Sequence, residues 1–268
     1  MKISIPNLKN KIMKTISFIG GGRITNIFLQ AFQNVNVKFD KIVVFDINET
    51  TLINLKNKFS QVAVTGNIED AVNSELIILA IHPPVTMETL EEIKGKLSAD
   101  SMLLSLVPKF TIQKTTALLG GFKNVARMNP SASTIVNKGV NPVAFSSSFD
   151  NAKKTALLTL FKPLGHIPEI PDSKIEAYAV ISAMGHTYFN FQLQKLKELA
   201  ISFGMDDDEA SKTISNMLWG TTETLFNSGL TYAEVADLVP VKPMGEVEET
   251  IKSYYDQYLT AVYNKIKP

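Results

Sequence analysis

The chain contains no cysteine and few histidines. Its 268 residues include no cysteine, three histidines and one tryptophan. The absence of cysteine excludes disulfides, a thiol nucleophile and any cysteine-ligated zinc or iron–sulfur site. It is also consistent with a reducing compartment, so we expect a cytoplasmic protein. The three histidines lack ligand-like spacing, and we therefore predict no metal site.

The chain also lacks an excess of either charge and a long apolar run. Its 27 Lys and Arg residues face 26 Asp and Glu residues, a formal net charge of +1. This balance gives no electrostatic reason to expect nucleic acid or a membrane surface as a partner. No stretch reaches the roughly 18 apolar residues that span a bilayer, and the amino terminus does not resemble a signal peptide. We expect a small-molecule substrate and neither nucleic acid nor membrane.

The first half of the chain alternates short apolar runs with helical patterns. The apolar runs predict strands at Thr15–Ile19, Lys41–Phe45, Val62–Thr65, Leu76–Ile81, Met102–Leu106, Asn124–Met128 and Pro142–Phe145. The intervening patterns predict helices at Ile24–Gln33, Glu49–Phe59, Ile68–Val72 and Val85–Leu97. This order predicts an α/β fold with a Rossmann-type doubly wound parallel sheet, in which Gly165–Ile170 is the last edge strand.

The residues after Pro171 predict helices only. Asp172 or Ser173 is suited to cap a long helix that ends near Phe203, before Gly204. Later helices are predicted from Asp206 or Asp207 to Asn227, from Thr231 to Leu238 and from Gly245 to Lys265. The predicted domains are an extension (1–13), a dinucleotide-binding domain (14–170) and an all-helical substrate and dimerisation domain (171–268). The dense apolar residues of this last domain predict a homodimer.

The segment FIGGGRIT follows the first predicted strand and opens the first helix. Glycines let the backbone turn tightly near a diphosphate, and a helix amino terminus adds free N–H groups with a partial positive charge. Gly20 and Gly22 match the first two positions of the G-x-G-x-x-G/A fingerprint, whereas Thr25 occupies the third. We predict that this loop binds NAD(P), with Arg23 as a partner for either phosphate. A plain glycine turn is the alternative.

Two further residues near the predicted carboxyl edge of the sheet are candidates for cofactor binding. Asp46 ends the second strand, where a carboxylate accepts both ribose hydroxyls and repels a 2′-phosphate, which favours NADH. A helix N-cap is the alternative role for Asp46. His82 follows the fourth strand and is placed to donate to a ribose or a phosphate. A solvent-facing loop histidine is the alternative there.

Four motifs, FIGGGRIT, AIHPP, RMNPSAS and ISAMGHTYF, occur in an order and spacing that resemble the pyrroline-5-carboxylate reductase family. The resemblance covers the chain from about Lys14 to the last helix. It implies a dinucleotide-binding domain, a helical dimerisation domain and NAD(P)H-dependent reduction of a cyclic imine in proline biosynthesis. It assigns the diphosphate to Gly20, Gly22, Arg23 and Ile24, the adenosine side to Asn67, the ribose and phosphate loop to Ala80, Ile81, His82 and Pro83, and the nicotinamide to Val107 and Pro108.

The substrate segments depart from the family pattern. The resemblance places the substrate at Ser182, Gly185, His186, Thr187, Pro243, Met244, Gly245 and Glu246. Glu246 replaces a hydroxyl donor, and a carboxylate about 4 Å from a substrate carboxylate costs about 4 kcal/mol at an effective dielectric near 20. This charge weighs against proline formation itself. Ser182 and His186 are the predicted catalytic residues, with His186 as a proton donor; a buried structural histidine is the alternative.

The sequence therefore predicts an NAD(P)H-dependent oxidoreductase that transfers hydride to a small imine or carbonyl compound. One alternative is an NAD(P)-binding dimer that has lost catalysis, because hydroxyl groups are missing from several substrate motifs. A β-hydroxyacid-type dehydrogenase is another alternative, but it requires a lysine on the long helix after a glycine turn. Lys195 lies too far along that helix for a good match.

Overall fold

The computed structural model describes residues 13–267, which form two compact units. The first unit comprises the described residues up to Ala183 together with those from Lys265 onward, and the second comprises Met184–Asn264. The predicted extension lies outside the described residues except for Met13, which is buried. The domain boundary predicted near residue 170 therefore lies earlier in the chain than the observed boundary between the compact units, which falls between Ala183 and Met184.

The first unit is built on a mostly parallel sheet. Its strands are β1 (Thr15–Ile19), β2 (Lys41–Phe45), β3 (Val62–Thr65), β4 (Leu76–Leu79), β5 (Met102–Ser105), β6 (Val125–Met128), β7 (Gly139–Val140), β8 (Val143–Phe145) and β9 (Gly165–His166). The seven-stranded sheet has the order β3-β2-β1-β4-β5-β6-β8, and only the β6–β8 pair is antiparallel. This order places β1 and β4 at the centre, where a doubly wound fold changes direction. The predicted fold class is confirmed.

Helices cover both faces of this sheet and close two apolar cores. They are α1 (Arg23–Asn34), α2 (Glu49–Lys58), α3 (Pro83–Ile93), α4 (Ile112–Leu118), α5 (Asn151–Phe161) and the single turn α6 (Ile175–Tyr178). One core includes Phe28 of α1 and Phe161 of α5, whose rings meet edge to face at 5.4 Å. The other includes Leu90 of α3 and Ile112 of α4. Alternate residues of each strand therefore enter opposite cores, as a two-sided sheet requires.

The prediction of a last edge strand at Gly165–Ile170 is only partly right: Pro168 and Ile170 hydrogen-bond to Val143 of the edge strand β8, but the segment is not one continuous strand of the main sheet. Gly165 and His166 instead pair in parallel with β7 as a separate two-stranded ladder, and Glu169 makes only an isolated bridge to Val143. The pairing is close because both strands supply glycine. A Cβ on Gly165 would lie 2.2 Å from the carbonyl oxygen of Gly139.

The second unit is helical throughout its regular structure. Its helices are α7 (Gly185–Ser202), α8 (Asp207–Asn227), α9 (Tyr232–Asp237) and α10 (Glu248–Ile266). The predicted caps are confirmed: Asp206 and Thr231 each form a capping box with the glutamate three residues later. Gly204 follows α7 with φ of +102°, the left-handed conformation that suits a glycine stop. No helix of residues 13–267 is both long and apolar enough to cross a membrane.

The prediction of one continuous helix from residue 172 to Phe203 is wrong. A 3₁₀ turn at Asp172–Lys174 precedes α6, and a π-helical turn at Ala179–Ala183 separates α6 from α7. A π turn inserts an extra residue into the helical ladder and is common at functional sites. Here the Ser182 hydroxyl donates to the Tyr178 carbonyl at 2.7 Å, an internal bond of the kind that bends helices.

Candidate functional site

Three loops meet at the carboxyl edge of the central strands. The N–H of Gly20, just after β1, donates to Phe45 at the end of β2. The N–H of Ala80 donates to Ile19 at 2.8 Å, and that of Leu106 donates to Leu79 at 3.0 Å. These bonds continue the strand register into the loops, so the loops start from fixed positions. In sheets of this kind, ligands bind in the crevice at this edge.

The three glycines of the first loop meet different constraints. Gly20 has φ of +106°, and a Cβ there would lie 2.4 Å from the Ala80 carbonyl oxygen. A Cβ on Gly21 would lie 2.7 Å from the Leu55 side chain. A Cβ on Gly22 would meet no atom within 4 Å, because this residue faces open space. Gly20 and Gly21 thus permit the turn, whereas Gly22 leaves room for a group to approach the backbone.

Side chains of α1 brace this loop from behind. Thr25 is fully buried, and its hydroxyl donates to the Gly20 carbonyl at 2.6 Å. Asn26 donates to the Gly22 carbonyl at 3.1 Å. Gly22 is the N-cap of α1 and provides no side-chain acceptor, so the first-turn N–H groups keep their capacity to bind an anion. Arg23 is exposed at this end, and Ile24 packs against the core.

Asp46 connects the second strand to the glycine loop. Its Oδ2 accepts from the Gly21 N–H at 2.7 Å, and its Oδ1 accepts from the Asn48 N–H at 2.8 Å. The alternative role of Asp46 as the N-cap of the next helix is wrong, because Asn48 caps α2 by accepting from Thr51. Each carboxylate oxygen has a second lone pair, so the predicted contact with a ribose remains chemically open.

The other predicted cofactor residues lie after β3, β4 and β5. Asn67 is exposed, and its side chain accepts from the Glu69 N–H at 3.1 Å. Ala80, Ile81 and Pro83 are half-buried, whereas His82 is exposed at the N-cap of α3 without a side-chain capping bond. Val107 is buried and Pro108 is exposed. All follow carboxyl ends of parallel strands, and their contact with a cofactor stays a prediction.

The predicted substrate residues are divided between the two units. Ser182 is half-buried in the π turn of the first unit. In the second unit, Gly185 is buried, His186 is half-buried, and the exposed Thr187 donates its hydroxyl to Met184 at 2.7 Å. Pro243, Met244, Gly245 and Glu246 form an exposed turn before α10. Their assembly into one substrate site stays a prediction.

Tyr188 and Tyr255 form an aromatic pair in the second unit, and the pKa of Tyr188 is shifted. The rings of Tyr188 in α7 and Tyr255 in α10 meet edge to face, with centroids 6.1 Å apart. Burial, and to a smaller extent the nearby Tyr255, raise the pKa of Tyr188 above its ordinary value of 10.0. Tyr188 is therefore a neutral packing residue at physiological pH.

Arg127 in β6 opens the RMNPSAS motif and carries a buried charge. Its side chain is 2% exposed and forms ion pairs with Asp172 and Glu176. The signal in the sequence is the cation itself, because an arginine inside the apolar strand VARM requires buried anionic partners. The partners lie 45 and 49 residues further along the chain.

Comparison with known proteins agrees with this architecture. Residues 15–109 match a family model described as NADP oxidoreductase coenzyme F420-dependent. A Methanosarcina acetivorans protein named pyrroline-5-carboxylate reductase is 23% identical over 252 residues, covering 92% of each chain. The crystal structure of Plasmodium falciparum pyrroline carboxylate reductase with NADP bound matches with a TM-score of 0.78 at 18% identity, covering 95% of this chain and 98% of that one.

This chain has the fold of a pyrroline-5-carboxylate reductase. A third match, pyrroline-5-carboxylate reductase 3 of Danio rerio, is 26% identical and covers 82% of this chain and 76% of its own. The resemblance stated from the four motifs is confirmed over nearly the whole chain. The family model ends at Lys109, so it covers the glycine loop and the loop after β4, and reaches into the loop after β5, but covers none of the second unit.

Proposed function

We propose that this protein is an NAD(P)H-dependent reductase that transfers hydride to the carbon of a small cyclic imine. The observation that carries the proposal is the glycine loop: a turn that only glycine permits at residue 20, open space at residue 22 and an uncapped helix amino terminus. These features fit a diphosphate, and the similarity to pyrroline-5-carboxylate reductases supports the choice of substrate class.

The residues at this edge suit NAD(P)H, which supplies a hydride when bound. The N–H groups at the start of α1 would hold the diphosphate, with the exposed Arg23 as a counter-charge. Val107 and Pro108 follow β5, and the exposed Pro108 would offer an apolar surface beside the reactive ring. The task of the protein in such chemistry is mainly to orient the reactants and to exclude water.

Ser182 and His186 would act on the substrate nitrogen. The Ser182 hydroxyl proton is committed to the Tyr178 carbonyl, so the lone pairs of its oxygen are the groups left to accept from an iminium N–H. Such a contact holds the protonated imine, which is the more reactive form toward hydride. His186, half-buried in the first turn of α7, would supply a proton where the substrate arrives neutral.

Asp46 favours NADH over NADPH in this proposal. Its carboxylate stands where the adenosine ribose is expected, and its negative charge repels a 2′-phosphate. Two backbone N–H donors hold this carboxylate in one position, at 2.7 and 2.8 Å. A fixed anion discriminates between the two cofactors better than a mobile side chain.

The second unit would form a homodimer in the cytoplasm. Phe203, Trp219 and Phe226 expose 80%, 69% and 75% of their surfaces. Exposed apolar side chains of this density are typical of an interface and rare on a free surface. A second copy is the proposed partner because similar reductases share the same helical unit and a twofold interface is the commonest assembly.

Steady-state oxidation of NADH and NADPH tests the proposal. The purified chain is assayed with pyrroline-5-carboxylate, its six-membered-ring homologue and uncharged cyclic imines. We expect turnover with at least one imine, and we expect Glu246→Thr to increase turnover of the carboxylated substrates selectively. Tight NADH binding without turnover of any imine or ketone would establish the alternative of a non-catalytic NAD(P)-binding dimer.

A conservative substitution of His186 tests its role in proton transfer. We expect His186→Gln to lower kcat about 100-fold, because positioned acids and bases contribute on that scale. The loss should shrink at low pH, where the free imine is already protonated. Full turnover of this variant at every pH would exclude the role.

A further inference from the structure

A buried ion-pair cluster lies beneath the segment that carries Ser182. Nη1 of Arg127 lies 3.1 Å from Oδ1 of Asp172, and its Nη2 contacts Oε1 of Glu176. The Arg127 and Glu176 side chains are 2% and 4% exposed. Both nitrogen ends of the guanidinium are therefore occupied by carboxylates, and neither is available to a substrate anion.

This cluster leaves two of its buried polar atoms without a hydrogen-bond partner among the described residues. Two carboxylates face one guanidinium, and Nε of Arg127 and Oε2 of Glu176 have no hydrogen-bond partner within residues 13–267. Apolar residues of similar size are often as stable as a buried ion pair, or more so. Arginine nevertheless offers something that they lack, because its planar fork binds two carboxylates in one fixed arrangement.

The two carboxylates belong to the start of the helical segment. Asp172 and Glu176 are four residues apart, so they lie on the same side of the helical turns. Oδ2 of Asp172 also accepts from the N–H of Ile112, the first residue of α4, at 2.8 Å. Arg127 thus ties β6, α4 and α6 together at one point.

Apolar packing alone does not fix the rotation of this segment. Ile175 packs into one of the two apolar cores, and Val180 is also buried, but apolar contacts are not directional. The ion pairs are directional and determine which side chains point inward. Ser182 follows Glu176 by six residues through the π turn, so a rotation of α6 displaces its hydroxyl.

We propose that Arg127 is a positioning residue that sets the register of α6 and the π turn and thereby orients the Ser182 hydroxyl toward the substrate nitrogen. This inference rests on the proposed function for its catalytic consequence. Its structural part, that Arg127 holds residues 175–183 in one conformation, stands independently of that function.

The test compares Arg127→Met and Arg127→Lys with Val62→Ala. Val62 is fully buried in β3 and removed from the cluster, so its truncation is the control for a general loss of stability. In Arg127→Met we expect amide protection of residues 175–183 to fall about tenfold or more while that of β1 and α1 is unchanged. We also expect kcat/KM for the imine to fall about 100-fold, with an unaltered Kd for NADH.

Arg127→Lys retains the charge but not the fork, so its effects should be intermediate. Glu176→Gln replaces Arg127→Met if the latter does not fold. A folded variant with wild-type protection of residues 175–183 would overturn the proposal, as would parallel losses of NADH affinity and turnover. If the wild type reduces no imine, the proposed function fails, and the exchange measurements still decide the role of Arg127.

Discussion

The two units bury their apolar residues to very different extents. In the first unit, strand residues such as Ile16, Phe18 and Leu76 are completely buried between the sheet and its helices. In residues 184–264 of the structure, Ala210 is the one hydrophobic residue that reaches this degree of burial. The first unit therefore completes its own core, whereas the second leaves large apolar side chains such as Phe203 and Trp219 exposed.

The two units also differ in where some of their ion pairs lie, buried in the first and exposed in the second. The first unit encloses Arg127, whose two terminal nitrogens pair with the carboxylates of Asp172 and Glu176. The second places its ion pairs, such as Lys212 with Asp208, at the surface. Exposed pairs of this kind contribute about 0–1 kcal/mol each. The first unit thus contains a buried ion-pair cluster, while the ion pair of Lys212 with Asp208 in the second unit lies in solvent.

The largest expected effect is the loss of the proposed dimer in Trp219→Glu/Phe226→Glu. These residues are seven apart in α8 and share one face, so two carboxylates in the interface would oppose each other across the twofold axis. We expect light scattering to show a monomer with a lower Tm. Thr221→Glu, on the opposite side of α8, is the control. A stable dimer of the double variant would place the interface elsewhere.

The next largest effects are expected on the unfolding free energy and NADH binding of Gly20→Ala, for which Gly22→Ala is the comparison. The first substitution combines positive φ with a 2.4 Å approach to Ala80, so we expect a loss of about 3 kcal/mol in unfolding free energy and no NADH binding. The second meets open space, so we expect a change within about 0.5 kcal/mol but about tenfold weaker NADH binding. Calorimetry and titration measure both. Unaltered NADH affinity in Gly22→Ala would contradict diphosphate binding by this loop.

A smaller effect is expected for Asp46→Asn. Two backbone N–H groups lose a charged acceptor, which should cost about 1–3 kcal/mol of unfolding free energy. NADH affinity should fall about tenfold while NADPH affinity falls less, because the repulsion of the 2′-phosphate is removed. Isothermal titration with both cofactors measures the ratio. An unchanged ratio would reject the selectivity assigned to Asp46.

The smallest effect is a pH dependence of the second unit. The raised pKa of Tyr188 means that the folded state holds this proton more tightly than the unfolded state. The contribution is complete below pH 10 and is lost as the pH rises through the folded pKa. We expect Tyr188→Phe to flatten the decline of Tm above pH 10, and Tyr188 to titrate nearer 10 in Tyr255→Phe. Identical profiles for wild type and Tyr188→Phe would refute this contribution.

The sequence predicted the central strands closely because their apolar runs are short and sharply bounded. β1, β2 and β3 have the predicted residues, and the predicted cap at Asp206 and capping box at Thr231 are also confirmed. The helices α4 and α5 were not predicted: the start of α5 depends on a single cap, Asp150, and α4, which is capped by Thr111, has only seven residues. Periodicity is a weak signal at that length.

The features that the sequence did not reveal depend on contacts between distant residues. The π turn arises within an apolar stretch whose pattern is compatible with one uninterrupted helix. The pairing of β9 with β7 depends on two glycines 26 positions apart, Gly139 and Gly165. Likewise, an arginine in the apolar strand β6 predicts that it has anionic partners. Those partners, Asp172 and Glu176, become identifiable only when α6 is placed beside β6. Patterns in a single sequence indicate the secondary structure that neighbouring residues favour, whereas these features depend on residues that are far apart in the chain.

Thr25 occupies the third position of the G-x-G-x-x-G/A fingerprint, where the pattern requires glycine or alanine. A pattern search that demands glycine or alanine at the third position would reject this loop, although a buried hydroxyl there clamps the turn through the carbonyl of its first glycine. Replacing Thr25 by the consensus residue would improve the match and remove the clamp. In this chain the threonine at the third position therefore stabilises the glycine turn through its hydroxyl group.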